Sequence, residues 1–260
     1  MWNIKEGDLD EFRITCRNRL SPERAMLFMF GGMLYSSLLM LFIFGALIKF
    51  GWDYYPTLFD TVIVRMELLL YSLQVIFFII YLIPKVRFKF QKFQTLVILL
   101  YAFQLGTILF TALILPGMSD YTIDGITLVY VGFLFIGAVI VHIVTTIDTF
   151  KQASEGAFSM NERSASFFSK TKETMMKVAS IYALILLILI YFHNDYAIDT
   201  FIGYVIGTVL LYTVAVGSAE FQLLVYCRFK FKSFNMTWEE NERMRGRTRK
   251  QNEKFKTKSK

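Results

Sequence analysis

The chain has 260 residues, of which 55% are hydrophobic, 17% aromatic and only 19% charged, with a mean hydropathy of +0.47 and a net charge of +7. A soluble domain carries about a quarter charged and about 45–50% apolar residues, so one large or two small soluble domains are excluded. The apolar excess is gathered into six blocks of about 18–25 residues, each long enough to cross a hydrocarbon core about 30 Å thick at about 1.5 Å per helical residue.

In chain order, residues 1–24 read as a cytoplasmic segment of mixed charge. Ser21 can cap a helix and Pro22 suits its first position. The segment lacks the basic, apolar, small-residue order of a cleaved signal peptide, so the first span reads as a retained anchor. The transmembrane domain is 25–227, with spans at 25–48, 61–83, 95–115, 126–147, 177–192 and 201–227. Runs such as Leu68 to Tyr71 and Leu184 to Ile188 show no period-two alternation, which disfavours barrel strands and leaves helices. The fifth span is the shortest, and snorkelling by Lys177 or local thinning of the bilayer would cover its shortfall. In the long connection 148–176, Ser159 and Glu162 fit a capping box. Phe167 and Phe168 beside Lys170 and Lys172 suggest a helix at the interface, with a frayed loop as the plainer alternative. Residues 228–260 read as a basic, disordered cytoplasmic tail. The fold class is thus an all-α integral membrane protein, a six-transmembrane-helix bundle with both termini cytoplasmic.

That orientation comes from the 28 Lys and Arg residues. The N-terminal segment holds five, the connection after span two four, the connection after span four five, and the tail twelve. The connections on the other side hold only Lys49, with Arg65 inside span two. The positive-inside rule places the rich side in the cytoplasm. The poor side carries Asp53, Asp60, Asp120, Asp124, Asp195 and Asp199, with Trp52 and several tyrosines suited to an interfacial belt. Cys16 and Cys227 fall on the basic side, where reduced thiols are expected. Two cysteines and two histidines offer no metal-ligand spacing.

Four ionisable residues within the spans are the intramembrane polar candidates: Arg65, Glu67, His142 and Glu220. Arg65 and Glu67 lie two residues apart, point to different helix faces and need separate partners; the plain reading is an outward-snorkelling Arg and an interior Glu. Glu220 and His142 share a depth and suggest a Glu–His pair extended by Gln74, Gln104 and Gln222, against a purely structural interhelical bond. Helix-packing candidates are Gly203, Gly207, Ala215 and Ala219, a small-residue stripe on span six interrupted by Leu211. It reads as a dimer face or as packing within the bundle, as do Gly31, Gly32, Gly132 and Gly137 with less force. Arg243, Arg245, Arg247, Arg249 and Lys250 form a lipid-binding tail for anionic headgroups. A ribosome-attracting tail or a simple topological anchor is the alternative, and sparse aromatic interleaving argues against a specific nucleic-acid site. Arg87 to Phe93 resembles Arg228 to Phe234, through duplication or convergent use of basic and aromatic residues at a membrane exit.

No phosphate-cradling glycine loop, HExxH or GxSxG is present, so no catalytic residues and no cofactor are expected and an enzyme is disfavoured. In general form the chain resembles small six-helix membrane proteins of low-GC Gram-positive bacteria. That resemblance covers architecture only; it implies a non-enzymatic accessory protein acting by protein–protein contact in the bilayer, in its narrower form an immunity factor against a secreted toxin. Its partner would be another membrane or secreted protein, with oligomers allowed. A transporter or ABC-type export permease subunit is the first alternative and an insertase-like protein the second.

Overall fold

The computed structural model describes residues 2–55, 57–119, 125–159, 169–193 and 198–243. Its main helices are α1 (Asp10–Arg19), α2 (Pro22–Phe50), α3 (Leu58–Leu82), α4 (Pro84–Lys89), α5 (Gln91–Ser119), α6 (Gly125–Ser154), α7 (Lys170–His193) and α8 (Ile198–Lys230). Six of these are long and apolar enough to cross a membrane: α2, α3, α5, α6, α7 and α8. No strand occurs among the described residues, and the chain is a multi-pass all-α membrane protein.

Local chemistry sets the boundaries. The Arg24 N–H donates to the Ser21 hydroxyl, with Pro22 opening α2, and Gly51 at φ +70 closes it where a side chain would be strained. α3 begins with a reciprocal capping box between Thr57 and Asp60. It stops before Pro84, and Arg87 turns back to donate to the freed carbonyls of Tyr81 and Leu82 at 3.0 and 3.1 Å.

α5 is the hub, packed against α2, α3 and α8, while α6 joins α8 to α7. The outer faces are aliphatic, with Ile48, Leu58, Leu27, Phe42 and Ile181 well exposed. The interior holds Ser36, Gln74, Gln94, Gln104, Thr145, Thr149 and Ser218, all buried. Lipid tails are as apolar as leucine, so helices associate through small and polar contacts and apolar residues are free to face out.

Three expectations are corrected. The fifth spanning helix is Lys170–His193, 24 residues, because Ser169 caps the Lys172 N–H at 3.0 Å and donates to Asp148 at 2.6 Å, so the helix starts well before Lys177. The N-terminal segment is part of the fold: Leu9, Phe12 and Cys16 of its apolar face pack with Ala153, Phe158, Leu223, Cys227 and Phe234 at the end of the bundle that carries both termini. The tail does not begin at Arg228, because residues 228–243 fold back. Gln91 clamps the Met236 backbone with both amide atoms, at 3.0 and 3.1 Å, and Asn241 donates to Glu23 at 3.0 Å. The capping box reaching Glu162, Phe167 and Phe168, and tail residues Arg245, Arg247, Arg249 and Lys250, lie outside the described residues.

Candidate binding groove and intramembrane polar sites

α7 touches α8 over a much smaller surface than it shares with α6. The gap is a groove of about 990 Å³. One wall is α7 (Ala179, Ser180, Ala183, Leu184, Leu187), the other α8 (Thr208, Val209, Thr213, Val216, Gly217), with Val141 of α6 on the floor. α1 crosses the termini-bearing end, where Glu11, Thr15 and Asn18 line the groove together with Glu220. From Thr208 to Glu220 the groove runs about 18 Å along α8. It is apolar toward the bundle middle and acidic at the α1 end. Both walls carry small residues at four-residue spacing, Ala179 and Ala183 on α7, Thr213 and Gly217 on α8. A Cβ at Gly217 would meet nothing within 4 Å and Thr213 is exposed, so the small surface of α8 is turned to open space, while Ala179 and Ala183 are buried.

Glu220 therefore belongs to the groove and lies within electrostatic reach of the buried Lys172, which also feels Asp148. The expected Glu–His pair does not form. His142 Nε2 accepts from the Gln222 amide at 3.0 Å, and its Nδ1 engages Ser218 at 2.9 Å and the Ala215 carbonyl at 3.0 Å. Ala215, Ser218 and Gln222 lie on one face of α8, whereas Glu220, two residues from both Ser218 and Gln222, lies on another. Thr146 extends the network by donating to Gln222 Oε1 at 3.0 Å. His142 thus ties α6 to α8.

Arg65 and Glu67 part company. Arg65 is exposed, its guanidinium 5.3 Å from the Trp52 ring centroid, a cation–π contact at the helix end. Glu67 is 5% exposed and accepts from Gln104 Nε2 and Thr111 Oγ1, each at 3.0 Å. The small stripe is used inside the bundle: a Cβ on Gly207 would press on the Phe110 ring at 3.1 Å, Leu211 packs on Gly106, and Ala215 and Ala219 are buried. Gly203 stands half-buried one turn further out.

Sequence reasoning missed Arg228. It is 2% exposed and donates to the carbonyls of Gln91 (3.1 Å) and Leu20 (2.8 Å) and to the Thr95 hydroxyl. It thereby pins α8 to α5 and to the α1–α2 junction. The signal was an arginine inside a run of apolar residues, masked by the basic residues that follow. Its likeness to Arg87 in sequence does not extend to its role, since Arg87 caps α3. Cys16 and Cys227 are both free thiols buried in one cluster, and burial pushes the Cys16 thiol well above its ordinary value. Among the described residues no three His, Cys, Asp or Glu side chains gather as metal ligands.

No family model, curated protein or solved structure matches the chain.

Proposed function

We propose that the protein resides in the cell membrane with both termini in the cytoplasm and acts without catalysis, by holding a transmembrane segment of another protein in the α7/α8 groove. The orientation rests on the basic residues, nearly all of which flank the termini-bearing end. The observation that carries the binding reading is the small-residue face of α8, where Thr213 is exposed and Gly217 is turned to open space, above an acidic mouth. Surfaces of this kind are what transmembrane helices use to approach one another closely.

Size supports a helix. A helix about 10–12 Å across and about 18 Å long is a cylinder of roughly 1,400–2,000 Å³, so one sunk to half its width fills most of the 990 Å³ available. Charge supports a particular orientation. A membrane segment with its basic flank in the cytoplasm would bring Lys or Arg to Glu11 and Glu220. Two such contacts, each worth up to about 1 kcal/mol, favour a basic flank over an acidic one by roughly 30-fold.

The test uses single-span leucine–alanine peptides flanked at one end by two Lys or by two Asp, with energy transfer in liposomes to a dye on Asp53→Cys, outside the groove. The Lys-flanked peptide should bind roughly 30-fold tighter, and Gly217→Leu should abolish binding of both. Equal binding of the two peptides, or binding indifferent to Gly217→Leu, would sink the reading. In intact cells an impermeant maleimide should label Asp53→Cys and spare Ser154→Cys; the reverse pattern would invert the orientation.

A further inference from the structure

A second site lies away from the groove, on the seam between α2, α3 and α5. Seven-residue spacing puts Asp60, Glu67 and Gln74 on one face of α3, and all three are buried. α5 answers with Tyr101, Gln104 and Thr111, also from its inward side: Tyr101 donates to the Gln74 carbonyl, and Gln104 and Thr111 donate to Glu67. Both donors to Glu67 are neutral. Among the described residues no Lys, Arg or His makes a salt bridge to it, because Arg65 is drawn to Trp52. A carboxylate buried in a bundle that faces lipid carries a large desolvation penalty unless something cationic neutralises it.

A further observation lies along the same seam. Asp60 Oδ1, Gln74 Oε1 and Nε2, Gln104 Oε1 and, from α2, Ser36 Oγ are all buried without a hydrogen-bond partner. Native interiors seldom leave such atoms unserved; an ion or water normally takes them. The Gln104 amide is already held at Glu67 through its nitrogen, so its free oxygen lies beside the carboxylate. Carboxylate, amide and hydroxyl oxygens together are the ligand set of a hard cation. Asp60 stands two helical turns from Glu67, about 10 Å toward the end opposite the termini, buried and with one carboxylate oxygen unpartnered.

We propose that Glu67, Gln104 and Thr111 bind a small monovalent cation, H⁺ or Na⁺, admitted past Asp60. The other titratable and charged groups on the elements packed here are Glu23, Arg24, Tyr35 and Lys49 on α2, Arg65, Tyr71 and Tyr81 on α3, Lys92 and Tyr101 on α5, and Asp53, Tyr54 and Tyr55 in the α2–α3 connection; Lys92 lies over Phe229. None of them is a cation in contact with Glu67: Lys49 lies over Phe50 and Arg65 over Trp52.

The experiment uses the full chain in lipid nanodiscs and has two arms. Infrared difference spectra between the wild-type protein and Glu67→Gln at neutral pH show a carboxylic-acid carbonyl band if the ion is H⁺. Thermal unfolding in NaCl against choline chloride at equal ionic strength shows Na⁺-specific stabilisation, lost in Glu67→Gln, if the ion is Na⁺. Thr111→Val keeps the carboxyl and removes one ligand. It should shift the acid band, or raise the half-saturating Na⁺ concentration roughly tenfold, and it serves if Glu67→Gln does not fold. An ionised Glu67 in the spectrum together with identical unfolding in Na⁺ and choline overturns the proposal.

Discussion

Gly137 is where α6 comes closest to its neighbours, and Gly137→Ala is the sharpest probe of the bundle. A Cβ there would overlap the Tyr212 hydroxyl and the Tyr182 ring. Neither tyrosine can step aside freely, since Tyr182 donates to the Phe133 carbonyl at 2.9 Å and Tyr212 to the Leu134 carbonyl at 3.2 Å. Two interhelical hydrogen bonds of about 0.6 kcal/mol each and an overpacking cost of about 1–3 kcal/mol outweigh the roughly 1 kcal/mol that alanine gains over glycine in a helix. The expected net destabilisation is about 2 kcal/mol. Gly132→Ala, on the same helix, is the control. Its Cβ would meet nothing within 4 Å, so it should be neutral or stabilising by up to about 1 kcal/mol. Unfolding in mixed micelles by titration with dodecyl sulfate, followed by circular dichroism, should separate the two variants by roughly 100-fold in unfolding equilibrium. Variants that differ by less than about 0.5 kcal/mol would refute the close approach of α6 to α7 and α8.

Two further outcomes follow from the termini-bearing end. Arg228→Met leaves the Leu20 and Gln91 carbonyls and the Thr95 hydroxyl without their charged donor, and the same titration should show a loss of about 3 kcal/mol. Arg228→Lys should recover little, because a single compact ammonium does not bridge from the α5 acceptors to the Leu20 carbonyl at the α1–α2 junction. Cys16 keeps its proton in the folded protein at pH values where a free thiol, with its pKa of about 8.5, has begun to ionise. Its contribution to stability is therefore whole below about pH 8.5 and declines as the pH rises beyond it. Iodoacetamide should modify Cys16 much more slowly in the folded protein than in dodecyl sulfate at pH 8.5. Equal rates would mean that α1 is not seated on the bundle.

The six spanning helices were legible because an uninterrupted apolar run of that length has few other homes. Their partners were less so. Glu67 and Arg65 take different neighbours because residues two apart on a helix point to different faces. The identity of those neighbours depends on how α3 meets α5 and on the fold of residues 52–54, which no single-segment pattern encodes. The Glu220–His142 pairing failed for a related reason: equal depth does not imply facing sides, and the 3.6-residue period turns Glu220 away from Ser218 and Gln222. Seating α1 was within reach, because Leu9, Phe12, Cys16 and Leu20 repeat at helical spacing; the mixed charges between them drew attention first. The same bias placed the tail at Arg228. A basic residue after a span usually marks the membrane exit, yet here the guanidinium is the donor that three elements share. Of the two glycines on α6, only Gly137 meets neighbours, and nothing in the spacing of Gly132 and Gly137 distinguishes them.

The arrangement of α7 explains why a groove can exist in a bundle otherwise held by close polar contacts. α7 is anchored on α6 through Ala179, Ala183, Leu186 and Ile190 in one apolar cluster. α8 is anchored independently, on α5 through Gly106 and Gly207 and on α6 through His142 and Gln222. Each helix thus has its own anchor in the bundle. Tyr182 and Tyr212, both bonded to α6 carbonyls beside Gly137, set the spacing of the two walls at that depth. Under the proposed binding mode, an incoming helix would rest on exposed Thr213 and on Gly217, where a Cβ meets nothing within 4 Å, and any displacement of α7 would be borne at the Tyr182 and Tyr212 contacts beside Gly137.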